Sequence, residues 1–309
     1  KFLTQFFISK FTGSVILAVI LTIPGIILLY INRRLIPGSV LSHLLPLIPP
    51  CLLLLMQTHY YHLILYNLGF LLVLLYFLFA ILSEKKTIRY LVLALFPLFF
   101  YLTCAYAVIF LCLFIIYSLL YVRGPLKYYF SLLLLLEAII SAVIFKEILL
   151  LQTFKQLLLF PLPFINDSTH KVLFYLLAGY MILYPALCRI AGSLSMKKLN
   201  VRSVNFVPAI IVLCVTIIML ITGYNSQTAR VINLEKLVFE EKFDEAIKYQ
   251  GKYPSENMIG QYFYNIALSE TDQLCERLFY GRQDFGTGSL IREWSSEHLN
   301  WGAYAFYTT

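Results

Sequence analysis

Two histidines three positions apart, His59 and His62, stand in the run Thr58-His59-Tyr60-Tyr61-His62. On a helix this spacing puts both side chains on one face, where two imidazoles are a start toward a metal site. A metal site needs a third ligand, and the adjacent sequence supplies no carboxylate or thiolate. We therefore expect no bound metal, and we expect the two rings to pack at a membrane interface beside Tyr60 and Tyr61.

Three carboxylates are the candidate catalytic residues. Glu137 lies in the middle of an apolar run, where an ionisable side chain costs roughly 2.5–3.5 kcal/mol on membrane-insertion scales and must face protein or water. It is either a proton or substrate site or a packing carboxyl. Glu147 and Asp167 bracket the ambiguous segment 146–170. Membrane glycosyl-transfer enzymes place carboxylates beside re-entrant backbone, although charges at a membrane boundary are also ordinary solvated ends.

Long apolar runs must position these residues. The chain has 309 residues, of which 60% are hydrophobic and only 13% are charged, and this composition excludes a soluble domain of ordinary kind. It predicts an all-α, polytopic transmembrane helix bundle of about eight spans. The expected spans are 11–31, 39–57, 63–82, two within 90–122, 128–145, 171–190 and 204–223.

Three segments of the bundle need separate interpretation. Pro46, Pro49 and Pro50 remove helix donors from the second run, which predicts a bent or broken span. Residues 90–122 would form a helix of about 50 Å, too long for one crossing, so we expect a break near 101–106. The apolar pieces of 146–170 are short and interrupted, which favours a re-entrant or interfacial segment over a span.

The distribution of basic residues predicts the topology. With eight spans, eleven Lys and Arg residues fall on one side of the membrane and six on the other. The positive-inside rule makes the richer side cytoplasmic, which puts residues 224–309 outside, in the periplasm if the membrane is a bacterial inner membrane. The sequence lacks an initiator Met and stops in mid-pattern, so we expect it to be a fragment with an upstream span missing.

A soluble tail follows the last run. Residues 1–223 hold sixteen Lys and Arg against four Asp and Glu, a net +12, whereas residues 224–309 hold eight against twelve, a net −4. We therefore divide the chain into a membrane domain, 1–223, and a soluble α-helical domain, 224–309. Apolar spacing in the tail predicts helix hairpins, the second helix ending near Pro254, with Thr271 and Asp272 capping a last short helix.

Short motifs carry two resemblances. The run Phe243-Asp244-Glu245-Ala246-Ile247, followed by Pro254, resembles the second helix of a tetratricopeptide repeat. The sequences FLTQFF at 2–7 and ETDQLCERLF at 270–279, together with the order of parts, resemble an uncharacterised bacterial family of multi-pass inner-membrane proteins with tetratricopeptide-like tails. That family implies no known activity, so it assigns no functional residues.

The functional expectation rests on architecture. We expect a cell-envelope membrane protein whose extracytoplasmic helical tail binds protein partners, since stacked hairpins make extended binding surfaces. The alternative is a membrane enzyme acting on lipid-linked sugars or similar amphiphiles. A transporter is the weaker third possibility, because Glu137 is the only charge in the middle of a run and no inverted repeat is evident. Apart from the lipid bilayer we expect no cofactor and no nucleic-acid partner, since the basic residues form short clusters between apolar runs.

Overall fold

The computed structural model describes residues 10–36, 44–59, 62–82, 86–149, 153–159, 165, 167–193, 207–280 and 284–286. All regular elements within these ranges are helical. The chain forms two compact units, Lys1–Thr222 and Gly223–Thr309. The first unit contains α1 Lys10–Leu35, a 3₁₀ turn Leu45–Leu47, α2 Ile48–Met56, α3 Ile64–Leu82, α4 Lys86–Thr103, α5 Ala105–Tyr121, α6 Leu126–Ile144, a π turn Phe145–Leu149, α7 Phe154–Leu159, α8 Ser168–Ser193 and α9 Val207–Thr222. The second contains α10 Ser226–Phe239, α11 Phe243–Lys252, α12 Met258–Glu270, α13 Leu274–Arg277 and a 3₁₀ turn Leu278–Tyr280.

The expected breaks in the second run and in 90–122 are both present. The 3₁₀ turn and α2 each carry proline in their first positions, where its missing N–H is not needed for a helical hydrogen bond. The second break falls at Cys104, between α4 and α5. Its φ of 48° and ψ of −115° end one helix and start the next, a strained conformation for a residue that is not glycine.

Hydrogen bonds between helices show how the bundle is oriented. The hydroxyl of Tyr184 on α8 donates to Leu28 O on α1 at 3.1 Å, and Tyr121 near the end of α5 donates to Pro185 O at 3.2 Å. Tyr106, at the start of α5, donates to Tyr66 O at the start of α3 at 3.2 Å. A second contact in each pair joins residues displaced in the same direction along both helices: Cys188 with Asn32, Tyr106 with Phe174, and Phe77 with Tyr117. Helices α1, α3, α5 and α8 therefore run in the same direction. We call the end where α3, α5 and α8 begin the histidine end and the other the arginine end.

Segment 146–170 begins and finishes at the histidine end. Phe145 stacks on Phe100, near the C-terminus of α4, with ring centroids 5.5 Å apart. Asp167, at the other side of the segment, contacts His59. Between them α7 buries Leu157 and packs on α5. The described ends of the segment, Phe145 and Asp167, therefore lie at the same end of the bundle.

Within the described residues, four helical stretches are long and apolar enough to cross a membrane, which is compatible with a membrane protein. A fifth is added if Val207–Thr222 and Ser226–Phe239 count as one broken span. The four are Ala18–Leu35, Ile64–Leu82, Lys127–Ile148 and Ser168–Ser193. The remaining apolar helices, Leu45–Met56, Tyr90–Thr103 and Ala105–Tyr121, are shorter.

The second unit is a cluster of helices packed around α12. Asn225 and Asn257 cap α10 and α12 by accepting backbone N–H bonds through their side chains. Residues 259–268 of α12 are all buried, so this helix is covered on every side. The prediction that Thr271 and Asp272 cap a last short helix is wrong. Gln273 is the N-cap of α13, and the Thr271 hydroxyl instead donates back to Ala267 O at 2.9 Å.

Candidate functional site

A turn between α2 and α3 presents two histidines at one end of the bundle. Helix α2 ends at Met56 with Gln57 as its C-cap, and Thr58 donates its hydroxyl to Leu55 O at 2.8 Å, which satisfies a carbonyl of the last helical turn. His59 N then bonds to Met56 O at 3.2 Å, and His62 N to His59 O at 3.1 Å. These successive turns hold both imidazoles beside the first residues of α3.

Asp167 joins this turn to α8. As the N-cap of α8, its Oδ1 accepts hydrogen bonds from Thr169 N at 2.7 Å, from the Thr169 hydroxyl at 2.6 Å and from His170 N at 3.4 Å. Its Oδ2 lies 3.0 Å from His59 Nδ1. Partial burial alone would raise the pKa of Asp167, but the bonds from Thr169 and His170 and the nearby His59 lower it to about 2. The carboxylate is therefore ionised and fixed in position.

A second pair of rings lies behind the first. His62 Nδ1 is 2.9 Å from His170 Nε2, and His62 Nε2 is 2.8 Å from the side-chain oxygen of Asn67. Because that oxygen only accepts, His62 carries its proton on Nε2, and His170 Nε2–H donates to His62 Nδ1. Burial lowers the pKa of His62 to about 4 against the opposing effect of Asn67, and the charge of His59 lowers it further. His62 is thus neutral at neutral pH.

The two pairs are in direct contact. The rings of His59 and His170 stack with centroids 4.9 Å apart and planes 8° apart, and Tyr66 lies 6.2 Å from His170. We call His59, His62, Asn67, Asp167 and His170 the histidine cluster. The side chain of His59 is 19% exposed and that of Asp167 is 43% exposed, so the first pair can meet a molecule outside the bundle.

The cluster has the geometry of an oriented base. Asp167 accepts the Nδ1 proton of His59, which leaves Nε2 as the proton acceptor of that ring. A carboxylate in this position fixes the tautomer of the imidazole and stabilises its protonated form, as in hydrolases that use a histidine base. The cluster can therefore take a proton from water or from a hydroxyl group.

The other two candidate carboxylates, Glu147 and Glu137, lie away from the histidine cluster. Glu147 is exposed and pairs with its sequence neighbour Lys146. Glu137 lines a groove of about 500 Å³ between α4 and α6, with Leu93, Pro97 and Ser141 among the lining residues. Neither carboxylate belongs to the histidine cluster, so of the three catalytic candidates only Asp167 meets a partner suited to catalysis.

The weak metal candidates, His59 and His62, are brought together with a third histidine and a carboxylate. Even so, within the described ranges no three His, Cys, Asp or Glu side chains are placed to hold one metal ion. The expected packing beside Tyr60 and Tyr61 lies outside the described residues. His170 was missed in the sequence, where the cap pattern at Asp167 was the only local sign of it.

An apolar groove lies against α2, the helix that precedes the His59 turn. It has a volume of about 650 Å³ and is lined from α1, α2, the turn before α2, and Leu213 of α9. Its lining side chains include Gly25, Pro50 and Leu54 and carry no charge. Helix α2 runs from this groove toward the histidine end and leads directly into the His59 turn.

Comparison with curated proteins and with solved structures found no match for the chain. A family model does match it over residues 1–309, which confirms the expectation of an uncharacterised family. The chain therefore belongs to DUF6057, a family of unknown function.

Proposed function

We propose that the protein is a multi-pass membrane enzyme that acts on an amphiphile, such as a lipid-linked sugar, with His59 as general base. The observation that carries this proposal is the 3.0 Å contact between His59 Nδ1 and Asp167 Oδ2 in a partly exposed site. Hydrolytic and transfer reactions use a base that a second group holds in orientation, and here the two residues come from distant parts of the chain.

The base acts on an attacking oxygen. His59 Nε2 takes the proton from water or from an acceptor hydroxyl as that oxygen attacks the head group of the substrate, and later returns the proton to the leaving group. Asp167 stabilises the imidazolium formed in between. General-base assistance of this kind contributes about 10²–10⁴ in rate.

The amphiphile follows from the apolar groove. Where helices cross a bilayer, the surrounding medium is hydrocarbon, so an uncharged groove at that depth suits an apolar chain. Helix α2 connects this groove with the His59 turn. A substrate with its chain in the groove would have its head group at the histidine end.

The proposed topology has about eight spans in a bacterial inner membrane. The shorter helices α2, α4 and α5 and helix α9 complete the count begun by the four long ones. Arg34 and Arg189 belong to the arginine end, which makes that end cytoplasmic by the positive-inside rule. The histidine cluster and the tail from residue 224 would then both face the periplasm.

Lipid analysis tests the proposed activity. We would compare lipid extracts by mass spectrometry from a deletion strain and from strains producing the native protein, His59→Ala or Asp167→Asn. We expect both variants to accumulate the same lipid species as the deletion, and Glu147→Ala, at the same end but outside the cluster, to match the native strain. Native lipid profiles in both cluster variants would reject a catalytic His59.

The second candidate function is binding of protein partners by a tetratricopeptide-like tail. Phe279 and Tyr280, in the 3₁₀ turn that follows α13, are 85% and 87% exposed, which favours a contact with another protein. We expect affinity capture with the full-length protein to recover a reproducible partner, and a Phe279→Ala/Tyr280→Ala variant to lose it. Equal recovery by both proteins would exclude this surface.

A further inference from the structure

Only one of the two polar atoms of the Asn67 side-chain amide forms a hydrogen bond. Asn67 is fully buried at the start of α3, and its oxygen accepts the hydrogen bond from His62 Nε2 at 2.8 Å. Its nitrogen, Nδ2, is buried and has no hydrogen-bond acceptor in the part of the chain that the structure describes. A buried donor without an acceptor is unfavourable and rare, so it calls for a specific explanation.

A second donor in the same short stretch has the same property. Gln57 caps α2 two residues before His59, and its Nε2 is likewise buried without an acceptor among the described residues. The two amides thus stand on either side of the turn that carries His59 and His62. Each side-chain nitrogen lacks an acceptor among the described residues.

We infer that Asn67 Nδ2 is the binding donor for an acceptor oxygen of the substrate head group, a phosphoryl or acyl oxygen. This inference rests on the proposed function, and it names the substrate class as an ester or anhydride with such an oxygen. An amide donor beside a base of the His59 type is the arrangement that stabilises a developing negative charge on oxygen. Gln57 supplies the second donor of the same region.

Binding of small soluble probes tests the inference without turnover. Butyl phosphate and butyl acetate would be titrated into the full-length protein in detergent while Tm is measured, with butylammonium as the probe that offers no acceptor oxygen. We expect a saturable rise in Tm with butyl phosphate, butyl acetate or both, and none with butylammonium. A response to one ester alone assigns the phosphoryl or the acyl class.

Two variants remove the Asn67 donor. Asn67→Leu removes it without adding a charge, and the matched variant Asn67→Asp removes it, keeps an acceptor for His62 and adds a negative charge, so both are measured. We expect their affinity for the active probe to fall roughly 10–100-fold, the loss for a hydrogen bond to a charged or polarised oxygen. Native affinity in either variant, or no saturable response in the native protein, would overturn the inference. His59→Ala should bind the probe as the native protein does, so loss of activity there with binding intact separates this inference from the proposed catalysis.

A measurement on the native protein covers the case in which the Asn67 variants do not fold. A photoreactive diazirine derivative of the active probe would be cross-linked and the labelled peptides identified by mass spectrometry. We expect labels in residues 57–67 and 165–170, the two stretches that form the cluster. Labelling confined to other parts of the chain would overturn the inference.

Discussion

Two polar regions of the bundle differ in how their ionisable groups are satisfied. In the histidine cluster, Asp167 accepts four hydrogen bonds, and His59, His62 and His170 each contact another member. Glu137 lies in an apolar groove of about 500 Å³, and among the described residues nothing forms a hydrogen bond or ion pair with it. The cluster is preorganised, whereas Glu137 is a single group.

This difference shows that a charged residue in the middle of an apolar run does not by itself mark a functional site. Insertion cost made Glu137 the stronger site candidate in the sequence, because a carboxyl in the middle of an apolar run is expensive. Chemistry needs a group with an oriented partner, and the partner of His59 lies 108 residues away in the chain. The candidate site therefore follows from which residues the fold brings together, and not from the membrane-insertion cost of a single residue.

The largest expected effect is on catalysis. His59→Ala should reduce turnover of the accumulating lipid about 10²–10⁴-fold, because it removes the proposed base. Since the His59 side chain is 19% exposed, added imidazole should restore part of this activity in the purified variant. Initial rates with and without imidazole are the measurement.

A matched variant keeps that result interpretable. Glu137→Gln should retain turnover within a few-fold of the native protein and show no response to imidazole. Should Glu137→Gln lose as much activity as His59→Ala, the assignment of the site would move from the cluster to the groove.

Stability should depend on pH through His62. The pKa of His62 is about 4 in the folded protein against 6.5 for the unfolded chain, so the unfolded state binds more protons between these values. Stability contributed by neutral His62 is complete above pH 6.5 and is lost as the pH falls to 4, by roughly 3 kcal/mol. Asp167, with its pKa lowered to about 2, adds a loss below its ordinary value of 3.8.

Tm measured from pH 7.5 to 4.5 would show this dependence. The His62→Gln variant should have a flatter profile, because it has no imidazole to protonate on unfolding. An identical slope in the native protein and His62→Gln would mean that His62 is not the group responsible.

Two substitutions at Asp167 separate its charge from its cap. Asp167→Ala removes the cap of α8 and should lower the free energy of unfolding by about 0.5–2 kcal/mol, whereas Asp167→Asn keeps a good cap and should cost little of that. Both remove the carboxylate that orients His59, so both should lose activity. Chemical denaturation and initial rates on the two purified variants test this, and full activity in Asp167→Asn would contradict the orienting role.

Periodicity and proline positions predicted the all-helical class and two breaks between helices, whereas the described residues support four or five of the roughly eight expected spans. The break in the long run 90–122 falls at Cys104, and the prolines at 46, 49 and 50 mark the turn and helix before His59. These are local effects of helix length and missing N–H donors, so nearby residues determine them. The error at Thr271 has the same origin, since its hydroxyl can also bond back to the preceding turn.

The histidine cluster could be predicted only in part. His59, His62 and Asp167 were each noticed for their residue type, but their meeting depends on how α2, α3 and α8 pack. That packing comes from apolar contacts such as those of Phe70 and Phe174, whose rings lie 5.2 Å apart. Helical periodicity shows which faces are apolar, but it does not show which helices are neighbours. The amide nitrogen of Asn67, which has no acceptor among the described residues, depends on the same packing and had no local sign in the sequence.

The smallest expected effect is on stability at Glu137. Because Glu137 has no hydrogen bond or ion pair to a described residue, Glu137→Leu breaks none, and the free energy of unfolding should fall by no more than about 0.5 kcal/mol or should increase. Leu is also compatible with the apolar groove formed with Leu93 and Pro97. Chemical denaturation in detergent, with Ile139→Leu on the same helix as control, is the measurement. A loss several-fold larger than that of the control would show that Glu137 has a structural partner after all, and the contrast between the cluster and the groove would have to be redrawn.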